Sequence, residues 1–506
     1  MGWGWFREYG QTLVPWSEMM TRLVFAALLI VTEIVSAEDW PQFRGTNCSG
    51  VSHSTAPLPT EFSDTQHVKW VVKLGDGIGS PVIAAGRVFT SAMLDDKTLG
   101  LVAIDAKTGE KLWTRSWPIG DVDEIHATNS HAGTTPAADD ERVYFYFSTL
   151  GMVGLDAKTG ADIWQQQLPI PYFIFKWGAG MSPVLYKDLV LFCQDDDLHP
   201  AIYAFDKRTG RIRWKDDRND MAVNYSHPVI CETPTGDEIV VAGTGLLIGY
   251  DPATGERLWH ARTLLRNIKT TPVSRDGIVY ISLQSKGIAS QWLASIDRAE
   301  TGNSDNKVTK DEVQKFFGKR PVPEEFYKKT FDRGDLNHDG VLEGRELDIA
   351  FLPPGNPAGA SFDAPVPEDE FVIAVKGGGR GDVTKTHVLW KHATKHTDHI
   401  VSPLVVNDRM FLIKCGGIAT CFEIDKGTQL YGPGRINNAG DYFASPVFGD
   451  GKIYVAGENG NIVVLRDAPS LEVLAVNDMG ESILGTPAIA DGALFIRTRK
   501  SLLRIE

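Results

Sequence analysis

The chain has 506 residues, 42% hydrophobic and 10% aromatic, which is ample for a core and fits one large array better than three ordinary domains. A formal charge of −14, with no basic stripe, excludes nucleic acid as a partner. After the N-terminal segment, no apolar run has the length of a membrane span.

Taken in chain order, residues 1–37 read as a leader and signal peptide. Arg22 precedes the apolar run Leu23 to Val31, and Val35-Ser36-Ala37 fits small-residue cleavage after Ala37. The mature chain is then exported, periplasmic or secreted, with an uncleaved anchor as the alternative. Met1 to Glu18 form an odd leader, and Met19 or Met20 is read as the true start. Residues 38–67 are an N-terminal extension.

A repeated phrase follows. Asp105 to Trp113 reads Asp-x-x-Thr-Gly-x-x-x-Trp and returns at Asp156 to Trp164, Asp206 to Trp214 and Asp251 to Trp259, a period near 45 residues. A second repeat, a small residue or His before a proline, counts the units: Pro81, Pro136, Pro183, Pro228, Pro272, Pro403, Pro446 and Pro487. Each unit reads as four short strands joined by polar turns, so the predicted fold is all-β, an eight-bladed β-propeller. The aspartate and glycine form the turn between the third and fourth strands, and the tryptophans pack between blades. The last unit holds only three strands, and Val68 to Leu74 is expected to supply the fourth and close the ring. Residues 68–288 and 369–506 are assigned to the propeller.

The interval from Pro272 to Pro403 is too long by about 85 residues, so residues 289–368 read as an insert in blade five, between its second and third strands. It contains a twelve-residue pattern that matches an EF-hand calcium loop: Asp335, Asn337 and Asp339 at positions one, three and five, and Gly340 at six. Val341 would give its carbonyl at seven, Glu343 stands at nine and Glu346 at twelve. Hard oxygen donors in that number suit Ca²⁺. Upstream, Thr301 to Glu312 keeps Asn303, Asp305, Thr309 and Glu312 in register, but Thr301 at position one and Asn306 at position six depart. That loop is expected to be a structural partner with weak calcium binding or none.

Polar and aromatic residues before the inner-strand prolines ring the expected channel mouth. Candidate ligand residues there are His131, Trp177, Asn224, His227, Lys269, His399 and Tyr442. The alternative is that they cap strand ends. His392, His396, Asp398 and His399 form a weak zinc candidate. Of five cysteines, Cys415 and Cys421 flank a hairpin that a disulfide would bridge, with buried free thiols as the alternative to pairing.

The Asp-x-x-Thr-Gly-x-x-x-Trp phrase resembles the PQQ-like (pyrrolo-quinoline quinone) β-propeller repeat. Asp39-Trp40-Pro41-Gln42-Phe43-Arg44-Gly45, Asn129-Ser130-His131-Ala132 and the ending Ala488 to Thr498 resemble exported propellers of the planctomycete type. The resemblance implies the fold and leaves function open. Quinoprotein members place PQQ and a calcium ion over the channel; many use adjacent cysteines, which this chain lacks. The function expected is a calcium-binding interaction or scaffold module, monomeric, with a protein or polysaccharide partner on the channel-mouth face. The alternatives are a periplasmic quinoprotein oxidoreductase, with Asp398 or Asp441 as base, and a carbohydrate-binding propeller using Trp177 and Tyr442 as stacking platforms.

Overall fold

The repeated phrase acts as a latch between blades. The Asp105 carboxylate accepts the Lys107 and Thr108 amides at 3.0 and 2.7 Å and the Thr108 hydroxyl at 3.0 Å, which folds the turn. Gly109 then takes φ +77°, and a Cβ there would lie 2.7 Å from the Trp70 ring of the neighbouring blade. Trp70 itself donates to the Ala106 carbonyl at 3.1 Å. The same indole-to-turn bond joins Trp113 to Ala157, Trp164 to Lys207, Trp214 to Pro252 and Trp390 to Ile424. Aspartate, glycine and tryptophan are thus one device spread over two blades.

The computed structural model describes residues 1–4, 38–120, 122, 124–221, 223–263, 269–283, 293–318, 320–350, 370–394, 400–438 and 440–506. Residues Met1–Ala37 form a unit apart from Glu38–Glu506, so the signal-peptide reading lies outside the described residues. Among the described residues no helix is long and apolar enough to cross a membrane.

Within Glu38–Glu506, eight antiparallel sheets of four strands make the propeller. Blade 1 runs Val82–Ala84, Arg87–Asp95, Thr98–Asp105 and Lys111–Pro118, each strand beside the next. Blade 8 combines Ala488–Ala490, Ala493–Arg497 and Ser501–Ile505 with Val68–Lys73, which pairs antiparallel from Val68 against Ile505 to Lys73 against Ser501. The ring is closed by its own N-terminal strand, as the count of strands required. Blade 5 pairs Ile278–Leu283 with Glu370–Lys376, so the extra chain lies between its second and third strands. Blade 4 gains a fifth strand, Gly381–Asp382, lying parallel to Trp259 and His260.

The residue before each inner-strand proline has a structural use. The Ser80 amide donates to Thr135 Oγ1 in the next blade at 2.9 Å, and Thr135 to Ser182 Oγ at 3.0 Å. His227, Thr271, Ser402, Ser445 and Thr486 continue this girdle, and Thr486 returns to Ser80 Oγ at 2.9 Å. A small hydroxyl residue fits because it must reach one amide in the adjacent blade across the tight inner circle.

The N-terminal extension plugs the channel along the inner strands and reaches the girdle, where Phe43 stacks on His227. Trp40 exchanges backbone bonds with Ile83 at 2.8 Å, Pro41 accepts from Ala138, and Gln42 Oε1 accepts the Leu185 amide at 2.7 Å. Asn47 brackets Ile230, and Gly50 and Ser52 pair with Phe448. Arg44 is fully buried and donates to the Pro403 carbonyl at 2.7 Å; burial pushes its guanidinium down to about 10. Beside this plug, residues 49–55 and the ends of the inner strands of blades 5 to 7 line a cavity of about 740 Å³. All five cysteines are free thiols, four of them buried and Cys415 half-buried.

Candidate metal centre

The insert is built from helices and two short strands. Lys310–Phe317 is a helix whose Thr309 N-cap accepts the Glu312 amide while Glu312 reaches back to the Thr309 amide, a reciprocal cap. Helical turns run through Glu324–Phe326, Tyr327–Phe331 and Asp332–Gly334, and a further helix covers Arg345–Ala350. Lys307–Thr309 pairs antiparallel with Val341–Glu343, centred on Val308 against Leu342. Both of those apolar side chains are fully buried, so the pairing fixes the two acidic loops back to back.

The loop from Asp335 to Glu346 is organised by its own carboxylates. Asp335 accepts the Asp339 and Gly340 amides at 3.1 and 2.9 Å. Asn337 Oδ1 accepts the Asp339 amide at 3.0 Å, and Asp339 Oδ1 the Val341 amide at 2.9 Å. Glu346 reaches back to the Leu336 amide at 2.9 Å and the Glu343 amide at 3.3 Å. Gly340 sits at φ +81°, the left-handed turn for which glycine is suited. Asp335 and Glu346 are 7% and 8% exposed, and among the described residues no basic side chain pairs with either. Glu343 is ion-paired with Lys307 at 2.6 Å on the exposed side. Among the described residues no three His, Cys, Asp or Glu side chains are gathered about one point, so the donors are strung along the loop rather than already converged. The donor set is nonetheless all oxygen, and its two most buried members are acids without a counter-cation, which fits a hard divalent ion.

The insert leaves blade 5 yet docks on the blade 3 side of the mouth face. Tyr172, Ile174 and Leu198 share one buried cluster with Ile296, Val308, Val313, Phe317, Phe326 and Leu342. The Tyr172 ring stacks on Phe317 with centroids 5.6 Å apart, and Lys329 donates to the Leu198 carbonyl. Asp196 holds the receiving loop by accepting the Tyr172 and His199 amides at 2.7 Å each; burial pushes its carboxyl up to about 7. A cavity of about 240 Å³ remains between Ile125, Phe173 and Lys176 on one side and Phe317 and Arg320 on the other.

The channel-mouth candidates divide. Trp177 lies against His126 at 4.4 Å, with the Lys269 ammonium 5.6 Å from its ring centre, so these meet at the surface. Asn224 is buried, donating to Asp195, which forms a fully buried pair with Arg218 at 2.8 Å. His227 stacks on Phe43 at 4.5 Å and bonds Thr271 through Nδ1 at 2.9 Å; burial, reinforced by Arg44, pushes it down to about 3. Tyr442 is wholly buried with its hydroxyl donating to the Asn438 carbonyl at 2.8 Å, so it offers no stacking platform. His131 is half-buried, and burial lowers its pKa. His399, with His396 and Asp398, lies outside the described residues; His392 packs edge-on to Phe422. Polarity in these loops therefore serves the propeller's own bonds at three positions.

Comparison with known proteins agrees with this architecture. The 1-butanol dehydrogenase (quinone) of Thauera butanivorans is 27% identical over 134 residues, 24% of this chain and 21% of that protein. The quinohemoprotein alcohol dehydrogenase ADH IIB of Pseudomonas putida is 25% identical over 247 residues, 43% of this chain and 35% of that one. The outer membrane protein assembly factor BamB of Moranella endobia is 22% identical over 228 residues, 42% of this chain and 54% of that one. The matching stretches thus span about a fifth to a half of these relatives. In fold, BamB from Moraxella catarrhalis superimposes with a TM-score of 0.50 at 12% identity, over 86% of this chain and 97% of that one. The family model described as outer membrane protein assembly factor BamB matches residues 61–172 and 176–332, more than half of the chain, and the protein belongs to that PQQ-repeat propeller family.

Proposed function

We propose that this protein is an exported propeller that binds calcium through the loop Asp335 to Glu346 and presents the face carrying it to a protein partner. The observation that carries the reading is the pair of buried, cation-free carboxylates Asp335 and Glu346, set at the first and twelfth places of a loop whose other donors are oxygens. Asp335, Asn337, Asp339, Glu346 and the Val341 carbonyl would hold the ion. Glu343, engaged by Lys307, would contribute through water. The ion supplies the positive charge that lets these oxygens converge and the flanking helices stiffen. Export is supported by the Leu23 to Ala37 signal pattern, and a protein partner by relatives whose name describes an assembly factor. The planctomycete-type resemblance of Asp39 to Gly45 fits the same reading. The mouth residues do not fit a quinone: Asn224, His227 and Tyr442 are held by Asp195, Thr271 and Asn438.

Calcium should raise the melting temperature of the chelator-treated wild type, and Asp335→Ala should remove the part of that rise due to this loop. A mutant that responds as the wild type does would overturn the assignment.

A further inference from the structure

The upstream loop has the backbone of the downstream one. Ser304 and Asn306 take φ +60° and +66°, as His338 and Gly340 take +60° and +81° at the equivalent places. Asparagine tolerates that region, so the departure at position six is no obstacle. Asp305 accepts the Lys307 amide at 2.9 Å and Asn303 the Asp305 amide at 2.9 Å, matching Asp339 to Val341 and Asn337 to Asp339.

The first position is filled from outside the contiguous twelve. Asp297 accepts the Asp305 and Asn306 amides at 3.0 and 3.1 Å, as Asp335 accepts those of Asp339 and Gly340. Residues Arg298 to Thr301 bulge outward and Gly302 closes the detour; a Cβ on Gly302 would lie 1.9 Å from the Asp297 carbonyl oxygen. Asp297 is fully buried, whereas Thr301 is exposed.

An independent observation marks a missing ligand. Glu312 is 5% exposed, and its Oε1 is buried with no partner. Its Oε2 is fixed on the Thr309 amide at 2.9 Å, as Glu346 Oε2 is fixed on Glu343. The other oxygen of Glu346 accepts the Leu336 amide at the start of its loop at 2.9 Å, whereas Glu312 Oε1, at the equivalent place in the upstream loop, has no such donor. A buried carboxylate oxygen without a donor is costly unless a cation meets it.

We infer that residues 297–312 form a second calcium site, in which Asp297 supplies the first ligand across a four-residue bulge, with Asn303, Asp305, the Lys307 carbonyl and Glu312. This rests on the reading of Asp335 to Glu346 as a calcium loop only for the identity of the ion. The test is calcium stoichiometry by equilibrium dialysis and calorimetry on the full chain after chelation, with folding monitored by circular dichroism. The wild type should bind two ions. Asp297→Asn and Glu312→Gln should each weaken one site more than about tenfold and leave the other. Thr301→Ala should keep both, since Thr301 is no ligand. One ion in the wild type, lost in Asp335→Ala and retained in Asp297→Asn and Glu312→Gln, overturns the second site and leaves the first. One ion lost in Asp297→Asn but kept in Asp335→Ala supports the second site and overturns the first. No binding at millimolar calcium overturns both.

Discussion

At the scale of single residues, burial decides chemistry that side-chain identity leaves open. His227 invites a ligand role in the sequence because it is a polar ring at a channel mouth. In the fold it stands in the girdle where other blades place a hydroxyl, with its ring under Phe43 and near a buried cation. Its folded-state pKa of about 3 lies below the ordinary 6.5, so the unfolded chain takes the proton first. Stability from this group is therefore complete above about 6.5 and is lost as pH falls toward 3. Asp196 acts in the opposite sense: raised from 3.8 to about 7, it favours the folded state at low pH, an advantage lost as pH rises through 7. Only a difference measurement separates them. In chemical denaturation at stepped pH, His227→Gln should be less destabilised by acid than wild type between pH 6 and 4, by up to a few kcal/mol. Parallel pH curves would show that His227 is not held neutral.

At the scale of elements, the downstream acidic loop was legible because its oxygen-bearing side chains are contiguous and such an alternating pattern is rare by chance. Asp297 was not legible, because the bulge shifts it four places out of register and only amide contacts across the loop reveal it. The docking of the insert was hidden too. Tyr172 and Leu198 look like ordinary propeller-loop residues, yet they complete the insert's core. Tyr172→Ala should therefore loosen the insert selectively, at a cost of about 3–5 kcal/mol if the cluster does not refill. Hydrogen exchange should show faster amides in Lys310–Phe317 and Arg345–Ala350 with blades 6 to 8 unchanged. Uniform protection across the chain would argue that the insert holds without blade 3.

At the scale of the whole molecule, ring closure is one joint among eight but the only one made by chain ends. Val68–Lys73 pairs along Ser501–Ile505 as the outer strand of blade 8, and Trp70 latches that blade to the turn of blade 1. Trp70→Ala should cost about 3 kcal/mol, since the ring is half-buried and its cavity opens at a blade joint. Leu112→Ala, a 43% exposed control on an outer strand, should change stability by less than about 0.5 kcal/mol. Thermal or denaturant melts compare the two directly; equal effects would show that Trp70 is not a closure element.

The sequence by itself determined the blade count, the strand order, the closing strand and the downstream acidic loop, because each is written in short-range spacing that repeats or matches a fixed local geometry. Only the tertiary structure decided that Asp39 to Ser52 plugs the channel, that the insert of blade 5 rests on blade 3, and that Asp297 joins the upstream loop. These depend on contacts between residues remote in the chain, or displaced by a bulge, whose partners are chosen by packing and by the need to satisfy buried polar groups rather than by local pattern.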